Sequence, residues 1–463
     1  MRGPGEILLV ACYELGHQPL SLASPLALLR RAGFAPAAVD TAVEALPDPA
    51  IAGARLVAIS VPMHTALRLG VEVARRVRAV NPAAHICAYG LYATLNAGYL
   101  LGEGLADSVI GGEYEAPLVE LARALAAGGP VRVPGVGTLA APAEPVRRKI
   151  EFAVPERDAL PPLPRFAHFV RNGTHVPAGY VEASRGCLHT CRHCPVVPIY
   201  RGRFFVVPRE VVLADIRRQV AAGAGHITFG DPDFLNGPGH VMRLARALHA
   251  ELPHVTFDAT IKIEHILEHR ALFPELARLG CAFVVSAVET IDDAILARLR
   301  KGHTRQDVET ALAILDAAGI PMRPSLLPFT PWTTLDGYAE LLDFVAERGL
   351  VRHIDPVHYS IRLLVPPGSA LLDEPETRRW LGPLEPAGFT YTWQHPDARV
   401  DALQQVVAEL VEQAERDGRD VAETFDAVRA HAYRAAGRGE PDCLAVRLAG
   451  LPDPPRLTES WFC

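Results

Sequence analysis

The sequence predicts an α/β protein in which a doubly wound parallel sheet precedes a partial barrel of six β/α units and a helical C-terminal region. Two series of short apolar runs, each alternating with amphipathic helical stretches, predict the two sheets. A stretch rich in proline and mixed charge separates the two series. These patterns predict four segments: a sheet domain over 1–128, a linker over 129–174, the barrel over 175–372 and the helical region over 373–463.

The composition indicates a globular protein and argues against two classes of partner. The chain has 463 residues, too many for one ordinary core, and 49% of them are hydrophobic. The net charge is −7 and no cluster of lysine and arginine stands out, so we expect no nucleic-acid partner. The apolar runs are too short for a secretory signal or a membrane span, so we expect a cytoplasmic protein without a membrane partner. In that reducing compartment, clustered cysteines indicate metal ligands rather than disulfides.

The first series begins with a short apolar run from Glu6 to Cys12, which predicts a strand that ends in a polar loop. A helical stretch follows and stops at Gly33. Parallel strands joined by helices form an open, Rossmann-like sheet that binds ligands at the carboxyl ends of its strands. The further strand candidates are "ARLVAIS", "HICAYG" and "LADSVIGG", and the further helix candidates are "ALRLGVEVARRVRAV" and "APLVELARALAAGG".

The stretch "EPVRRKIEFAVPERDALPPLPRF" breaks this alternation and predicts the interdomain linker. A second alternation starts at Tyr180 and gives six β/α units, fewer than the eight of a complete barrel. After about Pro375 the pattern is helical and amphipathic. The strand candidates of the barrel are "YVEAS", "HITFGD", "VTFDATI", "AFVVSAVE", "IPMRPSLLPFT" and "HIDPVHYSI".

Three cysteines lie just past the first barrel strand, where barrel enzymes place their chemistry. Cys187, Cys191 and Cys194 follow the pattern C-x-x-x-C-x-x-C, and Gly186 permits a tight turn before them. A cubane iron–sulfur cluster has four irons, so three thiolates leave one iron open for another ligand. The alternative is a structural zinc site that is completed by His189 or His193.

The spacing of these cysteines, with its strand context, resembles that of the radical S-adenosylmethionine superfamily. The resemblance implies a 4Fe–4S cluster whose open iron binds the amino and carboxylate groups of S-adenosylmethionine. One electron from the reduced cluster then yields a 5′-deoxyadenosyl radical. In that family an aromatic residue often precedes the third cysteine. Here the residue is His193, whose imidazole is expected to pack on the adenine.

The resemblance extends to looser motifs at the ends of later barrel strands. In "TFGDPDFLN" it implies that Gly230, Asp231 and, more weakly, Asp233 contact the methionine amino group; the alternative is a turn with a helix-capping Asp. In "ATIKIEHI" it implies that Lys262 or Glu264 contacts the methionine carboxylate or the ribose. The alternative there is a surface ion pair.

A third stretch, "SAVETIDDAILARLRKGHT", resembles one that is widespread in the family. The resemblance implies that Glu289 orders the pocket, with Lys301 and Thr304 in the connecting loop. The remaining strand cysteines, Cys12, Cys87 and Cys281, are expected to be buried as small hydrophobic residues.

The sheet domain resembles the cobalamin-binding domain of cobalamin-dependent radical S-adenosylmethionine enzymes. The matching stretches are "ISVPMHTA", "AYGLYATLN" and "DSVIGGEYEAPLVELARAL". Ser60, Gly90, Gly111 and Gly112 end successive strands, and small residues there let a cofactor approach the backbone. The motif D-x-H-x-x-G is absent from the sequence, so we expect cobalt without a histidine lower ligand; His17 and His64 are candidates only in principle. The alternative is a sheet domain that binds nothing or serves only for docking.

The combined resemblance implies an enzyme that uses the cluster, S-adenosylmethionine and cobalamin to methylate an unactivated centre of a small molecule. An electron donor such as flavodoxin or ferredoxin is implied as partner. The alternatives are a non-methylating rearrangement or group transfer by the same cofactors, and a non-catalytic metal-binding module. Residues near the barrel mouth that are candidates for substrate contact are Trp332, His358 and Tyr359.

The last five residues, "ESWFC", resemble the tail of a group of radical S-adenosylmethionine proteins that end in Cys-Cys-Ala-Glu-Pro or Cys-selenocysteine-Ala-Glu-Pro. The sequence stops at the first of these two positions, Cys463. The selenocysteine codon, UGA, is ordinarily read as a stop, so we expect the natural protein to continue with selenocysteine. The alternative is an ordinary C-terminus that happens to end in cysteine.

Overall fold

The computed structural model of the chain describes residues 1–459 and contains two main sheets. The first is six-stranded with the order β2-β1-β3-β4-β5-β6, and β1 to β5 pair in parallel. Apolar residues on both faces of this sheet pack against helices, as expected for parallel strands. Its strands are β1 (Ile7–Ala11), β2 (Ala37–Asp40), β3 (Leu56–Ser60), β4 (His85–Tyr89), β5 (Ser108–Ile110) and β6 (Val136–Gly137).

The strand order of the first sheet reverses direction between β1 and β3. Connections from these two strands therefore leave toward opposite sides and open a crevice at their carboxyl ends. The helices around this sheet are α1 (Leu20–Arg31), α2 (Asp48–Gly53), α3 (His64–Val80), α4 (Leu91–Leu95), α5 (Ala97–Gly102) and α6 (Glu115–Ala126).

The second sheet is seven-stranded, with the order β14-β13-β12-β11-β8-β7-β17. The five strands from β8 to β14 in this order are parallel, while β7 and β17 add an antiparallel edge. Its strands are β7 (His168–Arg171), β8 (Thr174–Val181), β11 (His226–Phe229), β12 (Thr256–Thr260), β13 (Cys281–Glu289), β14 (Met322–Leu326) and β17 (Arg456–Leu457). Two short pairs lie outside it: β9 (Ser184–Gly186) with β10 (Phe204–Val206), and β15 (Leu381–Glu385) with β16 (Thr390–Trp393).

One apolar core joins the outer face of the barrel strands to the surrounding helices. The helices of this half are α7 (Val196–Tyr200), α8 (Arg209–Ala221), α9 (Pro238–Glu251), α10 (Ile263–Glu268), α11 (Phe273–Arg278), α12 (Asp293–Arg298), α13 (Arg305–Ala318) and α14 (Leu335–Glu347). The C-terminal helices are α15 (Ala398–Arg416), α16 (Val421–Ala435) and α17 (Ala445–Leu448). Within residues 1–459, every helix is too short or too polar to span a lipid bilayer.

The sixth barrel strand that we predicted over 353–361 is wrong. This stretch forms 3-10 turns over Val351–His353 and Pro356–Tyr359. Pairing with the preceding part of the chain is limited to an isolated bridge between Phe329 and Arg362. Pro356 lacks a backbone N–H, which disfavours a central strand at this position.

The predicted linker over 129–174 contributes a strand to each sheet. β6 pairs antiparallel with β5, and β7 pairs antiparallel with β8. Between them, Arg157 is buried and forms an ion pair with Asp215 of α8 at 2.7 Å. The linker therefore packs against both halves of the molecule instead of running freely between them.

The C-terminal region is largely helical as predicted, but it also contains strands. The pair β15–β16 precedes the long helices, and β17 returns to β7, with Leu457 opposite Phe169. Of the tail motif "ESWFC", residues 460–463 lie outside the described part of the chain.

Candidate active site

The three clustered cysteines lie on the loop between β9 and α7. Cys191 is buried, Cys187 and Cys194 are partly exposed, and none of the three forms a disulfide. Gly186, which ends β9, has a φ of +78°, and a Cβ there would lie 2.4 Å from the carbonyl oxygen of Arg203. Only glycine fits this close turn, which directs the loop back toward the barrel mouth.

Two side chains after β11 hold the cysteine loop. The carboxylate of Asp231 accepts hydrogen bonds from the backbone N–H of Ala183 at 2.9 Å and the hydroxyl of Ser184 at 2.6 Å. The Oδ1 atom of Asn236 accepts from the backbone N–H of Leu188 at 3.2 Å. Asn236 was missed by sequence reasoning, although it ends the "GDPDFLN" stretch that was singled out.

Asp231 is fully buried, and burial raises the pKa of its carboxyl from 3.8 to about 7. The folded protein therefore holds this proton more tightly than the unfolded chain, and the free energy of unfolding contributed by Asp231 falls as the pH rises from about 4 to 7. We expect Asp231→Asn to remove this slope, which is at most about 1.4 kcal/mol per pH unit. Unfolding midpoints of both proteins from pH 5 to 7.5 check this, in the same metal-loaded state. Parallel pH curves for the two proteins would contradict it.

A second group surrounds Glu289, which ends β13 with a φ of +65°. Its Oε1 atom lies 3.1 Å from Nε2 of His193 and 3.0 Å from Nζ of Lys301. Burial opposes the charge of Glu289, but Lys301 and His193 outweigh it and hold the pKa of the carboxyl well below its usual range. Lys301 is buried and interacts electrostatically with Cys191 and Cys194. It therefore places a positive charge behind the thiolates.

A third group lies beside the cysteine loop. Asp233 is 1% exposed, and its Oδ1 atom caps the 3-10 turn that starts at Phe234 by accepting from the N–H of Leu235 at 3.1 Å. Its Oδ2 atom lies 3.3 Å from Nε2 of His189 and 2.8 Å from Nδ1 of His265. The alternative stated for this stretch, an aspartate that caps a helix, therefore applies to Asp233.

Lys262 and Glu264 form an ion pair with each other. Lys262 is 8% exposed, so the pair is not confined to the surface. The Nδ1 atom of His189 lies 3.2 Å from Nζ of Lys262 and 3.4 Å from Oε2 of Glu264. Gly302 lies over this pair, because a Cβ there would meet the Glu264 carboxylate.

The arrangement of the cysteines suits a cluster better than a single ion. Within residues 1–459, two groups of three or more possible ligands have their atoms within 4.8 Å of one another, and neither contains a cysteine. In a cubane each thiolate binds a different iron, so the sulfurs stand further apart. The two histidines proposed to complete a zinc site with these cysteines are not grouped with them: His193 faces Glu289 and His189 faces Asp233. As predicted, Cys12, Cys87 and Cys281 are buried.

The glycines of the sheet domain lie at the expected strand ends but are closely covered by protein. A Cβ at Gly111 would meet the hydroxyl of Thr94, and a Cβ at Gly112 would lie 2.2 Å from the carbonyl oxygen of Val146. Gly90 has a φ of +113°. A larger residue at Gly112 would therefore displace the linker, and this position is not a direct probe of a bound cofactor.

Ser60 is buried at the end of β3. Of the candidate histidines on this edge, His64 is hydrogen-bonded, whereas both ring nitrogens of His17 are buried without a hydrogen-bond partner within residues 1–459. The Nε2 atom of His64 donates to the carbonyl of Gly388 at 2.9 Å, and the ring of His17 packs on Tyr180 with centroids 4.8 Å apart. Of the proposed substrate contacts, Tyr359 is fully buried, and its ring packs on Phe425 in the core.

The loop after β5 joins the sheet domain to the cysteine loop. Arg185 of β9 reaches Glu113 at 3.2 Å and Glu115 at 2.6 Å, both in the "GGEYE" stretch, and Glu182 at 2.7 Å. The hydroxyl of Tyr200 donates to Glu113 at 2.9 Å. Sequence reasoning missed this buried cluster, because an isolated arginine beside a cysteine motif gives no pairing signal.

An apolar contact lies beside the Arg185 cluster. Leu91 and Leu95 of α4 pack against an apolar cluster in α7, and so do Cys187 and Cys194. The loops after β4 and β5 therefore both lie next to the cysteine loop.

Comparison with known proteins assigns part of the chain. Residues 181–345 match the Radical SAM superfamily. The chain is 28% identical to a hopanoid C-3 methylase of Methylococcus capsulatus over 234 residues, 50% of this chain and 44% of that protein. It is 30% identical to a tRNA-2-methylthio-N(6)-dimethylallyladenosine synthase of Chloroflexus aurantiacus over 225 residues, 44% of this chain and 46% of that protein. The chain thus spans less than half the length of these relatives.

Two solved structures are similar over most of the chain. One is the cobalamin-dependent S-adenosylmethionine radical enzyme OxsB with aqua-cobalamin bound, at a TM-score of 0.72 and 16% identity, covering 93% of this chain and 72% of that one. The other is the radical S-adenosylmethionine methyltransferase TsrM from Kitasatospora setae, with tryptophan substrate and a SAM analogue bound, at a TM-score of 0.60 and 18% identity, covering 74% of this chain and 71% of that one. At these identities the likeness shows the fold, and the predicted fold class is confirmed. Residues 181–345 of this chain therefore form a radical SAM domain, the kind of domain that binds a 4Fe–4S cluster and S-adenosylmethionine.

Proposed function

We propose that this chain is a cobalamin-dependent radical S-adenosylmethionine enzyme that methylates an unactivated centre of a small molecule. The observation that supports this proposal is the contact between the loops at the carboxyl ends of the first sheet and the segment that carries the cysteines. Arg185 of β9, just before the cysteine loop, forms ion pairs with Glu113 and Glu115 of the "GGEYE" stretch, and α4 packs beside the cysteine loop. A ligand held at the carboxyl edge of the first sheet would therefore face the cluster.

When bound, the cluster and S-adenosylmethionine supply a 5′-deoxyadenosyl radical, and cobalamin supplies a methyl group. The protein's part is to hold these groups in register and to exclude water. Lys301 places its charge behind Cys191 and Cys194, and the Asp231 carboxylate fixes the start of the cysteine loop.

For S-adenosylmethionine we propose the contacts that the family resemblance implies. Gly230 has no room for a side chain, because a Cβ there would overlap the Tyr180 hydroxyl, so we propose that it contributes through its backbone. Asp231 is proposed near the methionine amino group, and Lys262 or Glu264 near its carboxylate or the ribose. Asp233, which the resemblance assigns to the amino group more weakly, faces His189 and His265 instead. We propose that the ring of His193 packs on the adenine. Its Nε2 atom lies 3.1 Å from Oε1 of Glu289, which orients the ring.

For cobalamin we propose the edge formed by Ser60, Gly90, Gly111 and Gly112. We also propose that the chain is divided into four functional units, with bounds at 1–128, 129–174, 175–372 and 373–463. The second unit contributes β6 and β7 to the sheets of its neighbours. A flavodoxin or ferredoxin is proposed as electron donor. We propose that the chain has no nucleic-acid partner, in contrast to the relative whose name gives tRNA as its substrate.

Membership of the group with Cys-Cys-Ala-Glu-Pro or Cys-selenocysteine-Ala-Glu-Pro tails is also a proposal. It is supported by the "ESWFC" match alone. Reading the gene past codon 463 tests it. A UGA codon followed by an Ala-Glu-Pro reading frame supports it, and a UAA or UAG codon overturns it.

The test of the main proposal is anaerobic purification with added cobalamin and cluster reconstitution. We expect a cobalamin absorption spectrum that stays with the protein on gel filtration, and 5′-deoxyadenosine when a reductant and S-adenosylmethionine are added. Failure to retain cobalamin would overturn the cobalamin part of the proposal. Failure to form 5′-deoxyadenosine would overturn the enzyme proposal.

A further inference from the structure

We propose that His189, Asp233 and His265 form a mononuclear divalent-metal site, separate from the cluster thiolates. The three residues come from successive parts of the barrel mouth. His189 lies on the cysteine loop, Asp233 follows β11, and His265 lies on α10 after β12. The inference rests on their geometry and does not depend on cobalamin or methyl transfer.

The distances suit ligands of one ion. The Oδ2 atom of Asp233 lies 2.8 Å from Nδ1 of His265 and 3.3 Å from Nε2 of His189. All three ligand atoms lie within 4.8 Å of one another. With metal–ligand bonds of about 2.0–2.2 Å, neighbouring ligand atoms in tetrahedral or octahedral sites stand about 3 Å apart.

Beyond their contacts with one another, the same three atoms have no hydrogen-bond partner within residues 1–459. Nε2 of His189, Oδ2 of Asp233 and Nδ1 of His265 are each buried without a hydrogen-bond partner of acceptable geometry within residues 1–459. Asp233 is 1% exposed, so its carboxylate oxygen has lost water as a partner. Buried polar atoms are normally satisfied, and a bound cation would satisfy all three at once.

The surroundings supply the outer partners that metal-bound histidines use. When Nε2 of His189 binds a metal, its Nδ1 carries the proton and faces the Glu264 carboxylate at 3.4 Å. Lys262 donates to the same nitrogen at 3.2 Å, and an ammonium cannot accept a hydrogen bond, so metal binding at Nε2 requires Lys262 to give up this bond and keep its pairing with Glu264. On the other side, Glu268 has a carboxylate oxygen within 4.8 Å of a His265 ring nitrogen.

The donor set indicates the class of metal. Two imidazoles and one carboxylate suit Zn²⁺, Fe²⁺ or Co²⁺, and three protein ligands leave at least one coordination position for water or substrate. An ion here would also tie the cysteine loop to two barrel strands. His189 is two positions after Cys187, so the ion would fix the loop close to the cluster.

The test separates this ion from the cluster. The full chain carrying Cys187→Ala, Cys191→Ala and Cys194→Ala is titrated with Co²⁺ in the absence of cobalamin, and visible d–d bands are recorded. We expect one equivalent to bind with tetrahedral or five-coordinate bands. Adding His265→Ala should weaken Co²⁺ binding at least 10-fold, whereas adding His269→Ala should leave it unchanged.

A second measurement covers the case in which these variants do not fold. Metal analysis of the anaerobically purified wild-type chain and of its His265→Ala variant should differ by about one divalent ion, with equal cluster absorbance. Equal metal content would overturn the inference, and so would loss of the ion in His269→Ala. Weaker S-adenosylmethionine binding in His265→Ala at unchanged metal content would assign the three side chains to the S-adenosylmethionine pocket instead. Neither result depends on whether cobalamin binds, so failure here is distinct from failure of the proposed function.

Discussion

The Cys191→Ala variant is expected to contain no assembled 4Fe–4S cluster and to form 5′-deoxyadenosine only at the background rate. Cys191 is the buried member of the three cysteines, and it interacts with the charge of Lys301. With two thiolates left, two irons of a cubane would lack protein ligands. Iron and sulfide content, the visible absorption of the reconstituted protein and the yield of 5′-deoxyadenosine provide the measurement.

The matched control is Cys281→Ala. Cys281 is a buried cysteine in β13, and its replacement removes a thiol of the same size without touching the loop. We expect normal cluster content in this variant, at a cost in stability of about 1 kcal/mol for the small cavity. A full cluster in Cys191→Ala, or a lost cluster in Cys281→Ala, would refute the ligand assignment.

The sequence was sufficient for the parts of the fold that rest on local periodicity. In the first sheet β1 and β3 to β5 coincide with predicted apolar runs, and in the barrel β11 to β14 do. β2 was not predicted, and β8 shares only Tyr180 and Val181 with the predicted run "YVEAS". The errors fall where pairing is decided by distant segments. β6 has two residues, and its pairing with β5 depends on how the linker returns across the sheet. The run at 353–361 is apolar enough for a strand, but Pro356 and the following turn prevent one.

The site residues likewise divide into those that local sequence identifies and those that depend on distant segments. Cys187, Cys191 and Cys194 could be assigned because their spacing alone carries the chemistry. Asn236 and Arg185 could not, because each acts through a partner far away in the sequence. Arg185 meets Glu113 only after the parts of the chain that carry the two sheets have packed together. The three residues of the proposed metal site are likewise brought together by the barrel, with no sequence spacing to mark them.

Replacing Arg185 with alanine is expected to destabilise the protein by about 3–5 kcal/mol, because the change leaves buried carboxylates without their cation. Glu113 and Glu115 are fully buried, and Arg185 lies between them and Glu182. Burial raises the pKa of Glu113 to about 7 even with Arg185 present. Without the arginine, these carboxylates must take up protons or draw water into the interface. We therefore expect the joint between the sheet domain and the cysteine loop to open first.

The unfolding midpoint in urea and the rate of proteolysis in the part of the linker between β6 and β7, residues 138–167, measure these two effects. A surface control is Arg217→Ala, which removes an exposed ion pair with Glu251 and should change stability by less than about 1 kcal/mol. The combined variant Arg185→Met, Glu113→Gln and Glu115→Gln removes the two fully buried carboxylates and leaves the more exposed Glu182, so it should recover most of the lost stability. If Arg185→Ala unfolds like Arg217→Ala, or if the combined variant is no more stable than Arg185→Ala, then buried charge at Arg185 is not what joins the sheet domain to the cluster loop.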